Sequence, residues 1–170
     1  MSEELIAEVD WNDNVISVRS KKELKQYQFP HRVALILPKT NDDKFILARR
    51  AKDKFPCPDV WVFGIGGHVK ADETYEQAAL REMKEETGFE TEVIELAKAK
   101  HDGSEEKIIS KLFTTREYID INLLKPDVKE IQFLKEFSIK EISEMIDANP
   151  VNFAPNFITV FKAFLESNKY

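Results

Sequence analysis

The chain has one cysteine, three histidines and no apolar run approaching the ~20 residues that a membrane-spanning helix needs. The lone Cys57 cannot form an internal disulfide, which agrees with a reducing compartment. Three scattered histidines are too few for a histidine-rich metal site. The opening stretch, MSEELIAEVD, is acidic and lacks the positive and apolar regions of a signal peptide, so a cytoplasmic location is expected, with no membrane contact. Cations in excess are missing too. At a net charge of −6 the protein has no general attraction for a nucleic acid polymer, although a local basic patch would suffice for a small phosphorylated substrate. Repeats, linkers and low-complexity segments are absent, so the 170 residues (1–170) are expected to form one domain.

What is present is an ordinary globular composition, 42% hydrophobic and 33% charged. Glu8 to Val18 reads as two short strands around the turn Asn12-Asp13-Asn14. Ser20 to Tyr27 fits a short helix and a loop equally well. Val33–Pro38 and Lys44–Ala48 are apolar runs separated by a polar turn, a β-hairpin signal. Arg49, Arg50, Lys52 and Lys54 follow as a basic cluster, and Val60–Ile65 reads as one strand leading to Gly66-Gly67. Glu92–Lys100 and Lys107–Glu117 flank Asp102-Gly103 as a second hairpin. Ile119–Val128 reads as a loop, Glu130 opens a strand, Ser138 caps a helix through Ile146, and Asn156–Asn168 forms a last helix with a phenylalanine-rich stripe. Strands and helices in this order predict an α/β fold with a mixed or largely antiparallel sheet.

The chemistry gathers in GGHVKADETYEQAALREMKEETGF, from Gly66 to Phe89. Asp72 or Thr74 can cap a helix, Thr74 with Gln77 fits a capping box, and Gly88 can end it in the left-handed conformation. Within that helix Glu82, Glu85 and Glu86 stand at i, i+3 and i+4 and share one face. Like charges there repel, and they lie at the negative end of the helix dipole. Arg81 and Lys84 can screen such a face. A divalent cation relieves it better, and an all-oxygen donor set suits Mg²⁺ or Mn²⁺ over zinc.

The same stretch matches Gx5Ex7REUxEExGU, with U a bulky apolar residue, through Gly67, Glu73, Arg81, Glu82, Met83, Glu85, Glu86, Gly88 and Phe89. This resembles the Nudix box, the signature of the Nudix hydrolases. The resemblance implies an α/β/α sandwich with a mixed sheet, Mg²⁺ (or Mn²⁺) as cofactor, and hydrolysis of the P–O–P bridge in a nucleoside diphosphate linked to another group X, or in a related organic diphosphate. By the same resemblance Glu82, Glu85 and Glu86 are the main metal ligands, with Glu73 and the Gly66 carbonyl as further ones. Arg81 then orients the glutamates, while Gly67 and Gly88 are structural. Catalytic roles fall on Glu82, Glu85 and a base outside the box, for which Glu130 leads Glu105, Glu106 and Asp102. Family members are commonly dimers, so a homodimer is expected.

The segments HRVALIL, LARRAKDKFP and VWVFGIGGHV also resemble the branch that contains type I isopentenyl diphosphate isomerases. His31 and His68 match two metal-binding histidines of those enzymes, and Arg50 and Lys54 match the pair that grips a diphosphate. The essential cysteine is replaced by Gly66, which disfavours isomerisation. A non-catalytic nucleotide-binding module is the other alternative, against which stands the retention of all four box glutamates.

Overall fold

The computed structural model describes residues 3–167. Near its start Asp10 turns the chain, its carboxylate accepting from the backbone N–H groups of Asn12 (2.8 Å) and Asn14 (2.9 Å). On either side β1 (Leu5–Val9) and β2 (Val15–Ser20) pair antiparallel, with β1 beginning earlier than the expected Glu8. The ambiguous stretch from Ser20 becomes a 3-10 turn over Lys21–Glu23 running into the short helix α1 (Leu24–Tyr27). Reciprocal bonds between Ser20 and Glu23 start it.

β3 (His31–Ile36) is the hub of the larger sheet. It runs parallel to β8 (Lys107–Thr115), antiparallel to β6 (Ile65–His68), and meets β1 at Glu8 and His31. Beyond β8 lies β7 (Val93–Asp102), its antiparallel hairpin partner. A smaller sheet has the order β5-β4-β9, from Trp61–Phe63, Phe45–Arg50 and Ile131–Phe137. Successive β3 residues point to opposite faces. Val33 and Leu35 join one apolar cluster with Phe157, Val160, Phe161 and Phe164, whereas Ala34 and Ile36 join another with Ala78, Ala79 and Met83. The mixed sheet is thus covered on both sides, by α4 (Pro155–Ser167) and α2 (Tyr75–Thr87), in an α/β arrangement. Asn168, the expected end of α4, lies outside the described residues. Among the described residues no helix is long and apolar enough to cross a membrane.

Two expectations need correction. Val33–Pro38 and Lys44–Ala48 close a turn, with Ile46 N–H donating to the Pro38 carbonyl at 2.8 Å, but then part into different sheets. The physical reason is that six residues of β3 pair with six of β8, and a strand buried on both faces gains more there than in a local hairpin. Val60–Ile65 is likewise not one strand. It breaks at Gly64, where the chain crosses from the small sheet to the large one, and a Cβ there would lie 2.8 Å from the Ile46 carbonyl oxygen. A smaller adjustment concerns Ile119–Val128, where the expected loop contains a 3-10 turn over Ile121–Leu123.

The helices begin where side chains replace missing backbone partners. Thr74 caps α2, its hydroxyl accepting from Gln77 N–H at 3.2 Å while the Gln77 side chain accepts from Thr74 N–H at 2.8 Å. Gly88 ends α2 at φ 71°. Ser138 and Glu141 make the same reciprocal cap for α3 (Ile139–Ala148). The first turn of α2 is also pinned laterally. Tyr75 donates to the Asp13 carboxylate at 3.2 Å, and that carboxylate also accepts from Arg32 Nε (2.6 Å) and Lys98 Nζ (2.5 Å).

The crossing at Gly64 gives a direct test. Gly64→Ala should destabilise the protein by more than the ~1 kcal/mol typical of point substitutions, because a backbone carbonyl and Pro38 block the added methyl. Chemical denaturation of both proteins measures this.

Candidate active site

Glu82, Glu85 and Glu86 project from the last two turns of α2, and Arg81 gathers the first two together with Glu73. Its Nε and Nη2 hold the Glu73 carboxylate at 2.7 and 2.9 Å, while Nη1 reaches Glu82 (2.6 Å) and Glu85 (3.2 Å). Nη2 also donates to the His68 carbonyl at 3.0 Å, which ties the helix to β6. A bidentate guanidinium–carboxylate pair fixes orientation as well as charge. Arg81 therefore keeps the Glu73 carboxyl below its usual range. Lys84, the other expected screening residue, turns away to Glu90.

Glu86 is left out of this clamp. No basic side chain pairs with it among the described residues, and burial, with Glu82, Glu130 and Glu85 nearby, pushes its carboxyl up to about 8. The backbone N–H of Gly66 offers it some relief. Burial raises Glu82 too, despite Arg81. Gly67 is required by close approach, since a Cβ there would fall 2.1 Å from a Glu82 oxygen. Glu86, Glu82, Gly66 and Gly67 thus meet where β6 passes the end of α2.

Glu130 directly precedes β9 and is within electrostatic reach of Glu86. The Lys54 ammonium forms an ion pair with it, so the expected diphosphate-gripping lysine rests on the expected base. The Ala51 N–H donates to the Glu130 carbonyl (2.9 Å), joining the two segments. Arg50 uses only its Nε among the described residues, on the Pro56 carbonyl at 3.2 Å. Arg49 is taken by Asp59 at 2.8 Å. The basic cluster is therefore divided between bracing and free donors.

Other candidates lie elsewhere. His31 and His68 stack at 5.0 Å between ring centroids, and His31 Nδ1–H donates to the Phe29 carbonyl (3.0 Å). Burial lowers both, His68 to about 3, so the rings are neutral at physiological pH. Glu106 is half-buried beside the first turn of α4, where Asn156 Nδ2 donates to it at 3.2 Å. Neither Glu105 nor Glu106 is among the leading charges acting on Glu86, and Asp102 lies exposed at the same hairpin tip. Burial pushes the Cys57 thiol up, which suits an unreactive loop residue. Asn156 and His101, which both act on Glu106, carried no sequence signal because they come from separate segments.

Among the described residues no three acidic, histidine or cysteine side chains form a ready-made metal cage. Arg81 accounts for this by drawing Glu73, Glu82 and Glu85 to itself. The donors nevertheless fit a hard divalent ion in kind: the carboxylates of Glu82, Glu85 and Glu130 act on a half-buried Glu86 that has no basic partner among the described residues.

The NUDIX domain family model matches residues 29–157. A prenyl-diphosphate phosphatase of Methanosarcina mazei is 26% identical over 163 residues, 93% of this chain and 95% of the relative. An isopentenyl-diphosphate Delta-isomerase of Serratia proteamaculans is 24% identical over 162 residues, covering 94% and 90% of the two chains. A crystal structure from Deinococcus radiodurans superposes with a TM-score of 0.78 at 18% identity, covering 95% of this chain and 99% of that one, a likeness of fold.

The raised Glu86 fixes the sign of a pH effect in metal-free protein. Its carboxyl binds a proton more tightly folded than unfolded, so its contribution to stability is full below about 4.5 and is lost as pH rises to about 8. In chelator, melting temperature should therefore fall between pH 5 and 9 more for the wild type than for Glu86→Gln. Parallel thermal melts of the two proteins check this.

Proposed function

The chain belongs to the Nudix family, and we propose that it is a metal-dependent hydrolase that cleaves the P–O–P bridge of a nucleoside diphosphate linked to X, or of a related organic diphosphate. The observation that carries this reading is Glu86, a half-buried carboxylate crowded by three others and, among the described residues, left without a basic partner. A protein gains nothing in stability from such a group, whereas a cation site needs one.

Glu86, Glu82 and Glu85 would hold Mg²⁺ or Mn²⁺, with Glu73 and the Gly66 carbonyl in support. When bound, such an ion supplies neutralisation of the diphosphate oxygens and acidification of water. The remaining work belongs to the chain. Arg81 sets the orientation of Glu73, Glu82 and Glu85 and steadies them against their mutual repulsion. Glu130 takes a proton from the attacking water. The water oxygen bonds to phosphorus, and the bridging oxygen leaves with the other phosphate. Lys54, adjacent to Glu130, exchanges its ion pair for a phosphate oxygen, and Arg50 offers its free donors to the same anion.

Isomerisation is disfavoured on steric grounds as well as chemical ones. A side chain at position 66 would bring its Cβ within 2.8 Å of Leu35 and 2.9 Å of the Ala34 carbonyl oxygen, so this backbone has no room for the cysteine that chemistry requires. A non-catalytic module would have no use for Glu86 in its present environment.

Release of phosphate or nucleoside monophosphate from a panel of diphosphates, with and without Mg²⁺, is the test. Glu86→Gln and Glu85→Gln should lower kcat/KM by at least the ~10–100-fold that disturbing a metal site costs. Glu130→Gln should lower kcat by ~10²–10⁴, the usual worth of a general base. Full activity in both Glu85→Gln and Glu86→Gln would sink the metal assignment, and interconversion of isopentenyl and dimethylallyl diphosphates would restore the isomerase.

A further inference from the structure

The small sheet carries an irregularity beside the candidate site. Along β4 and β9 the residues pair one to one from Phe45 with Phe137 as far as Arg49 with Phe133, and the next pair is Arg50 with Ile131. Gln132 is therefore the extra residue of a β-bulge, with no partner on β4. A bulge interrupts the ladder of backbone hydrogen bonds, and here a side chain bridges the interruption. Gln132 Nε2 donates to the Arg50 carbonyl at 2.6 Å and to the Asp59 carboxylate at 2.8 Å, so both amide hydrogens are used. The same Asp59 oxygen accepts from Arg49 Nε at 2.8 Å.

These contacts meet at one peptide unit. Between Arg50 and Ala51 the carbonyl accepts from the Gln132 side chain, and the N–H donates to the Glu130 carbonyl at 2.9 Å. Both ends of the peptide are thus held from β9, one by the residue just before the strand and the other by its bulged residue. This is where β4 leaves the sheet, with Arg50 on one side of the peptide and Lys54 in the turn that follows. Lys54 N–H donates to the Ala51 carbonyl at 3.3 Å, and its ammonium pairs with Glu130. With the Gln132 amide removed, only the Ala51 N–H would tie this peptide to β9. The peptide could then turn about that bond and carry both cations with it.

We infer that Gln132 is a positioning residue for the reaction: by pinning the Arg50–Ala51 peptide it sets Arg50 and Lys54, which grip the diphosphate, in one frame with Glu130. It acts indirectly, through the backbone. Bulges beside active sites commonly aim side chains in this way, and a misplacement of ~1 Å is enough to cost a large factor in rate. This inference rests on the hydrolase reading.

Gln132→Met keeps the reach of the side chain and removes both donors. With the diphosphate of the panel that the wild type hydrolyses fastest in Mg²⁺, the variant should raise KM about fivefold or more, the worth of one hydrogen bond. It should weaken binding of methylenediphosphonate, whose P–C–P bridge resists hydrolysis, by a similar factor. If either KM or that Kd is unchanged, the inference is overturned. A merely structural role would give that result, because a smaller folded fraction lowers only the apparent kcat. Where Gln132→Met does not fold, Gln132→Asn, whose amide is withdrawn by one methylene, takes its place under the same criteria. If the wild type hydrolyses no diphosphate of the panel, the hydrolase reading fails by itself and the Kd alone decides. Weaker binding of methylenediphosphonate by the variant then upholds the positioning of Arg50 and Lys54, while equal binding, or none in the wild type, overturns it.

Discussion

Five hydrogen bonds from one guanidinium govern the candidate site. Arg81 joins Glu73 in the loop before α2, Glu82 and Glu85 on the helix itself, and the His68 carbonyl on β6. Without it three carboxylates would repel one another, and for Glu82 and Glu85 the helix dipole is unfavourable as well. Its reach is selective. Because the fork is occupied by Glu73, Glu82, Glu85 and a backbone carbonyl, Glu86 makes no ion pair with it, and the electrostatic deficit of the site collects on that one residue.

The fold supports this division of charge. Alternation along β3 sends Ala34 and Ile36 against α2, and the small residues Ala78 and Ala79 let the helix lie close to the strand. That closeness explains why positions 66 and 67 are both glycine. One has β3 behind it and the other has the Glu82 carboxylate in front, so the backbone of β6 is squeezed between the sheet and the helix.

Much of this was legible in the sequence where the determinants are local. The Thr74–Gln77 cap, the Gly88 terminus, the Ser138 cap and the stripe from Phe157 to Phe164 each depend on residues a few positions apart, and each is found where the spacing places it. What was missed depends on distant partners. The pairing of β3 with β8 links residues far apart in the chain, so two apolar runs beside a good turn looked like a hairpin. Gly64 could be seen in VWVFGI, but only the nearby Ile46 carbonyl shows that the strand must change sheets there. In the candidate site the spacing brought out the shared acidic face. It could not show that Lys54 would rest on Glu130, or that Asn156 and His101 would gather around Glu106.

The attachment of Tyr75 to Asp13 has a mechanical side. Asp13 belongs to the β1–β2 turn, and its other partners, Arg32 and Lys98, sit on β3 and β7, so the start of α2 is bolted to three parts of the sheet at once. With that end bolted and the Glu82 carboxylate packed against Gly67 at the other, any sliding of the helix would break contacts at both ends. Crowded carboxylates at its far end must be relieved by rotating side chains. Charge arriving at the site would be absorbed by glutamate rotamers against a stationary backbone, which makes the helix an anvil and leaves the carboxylates as the moving parts.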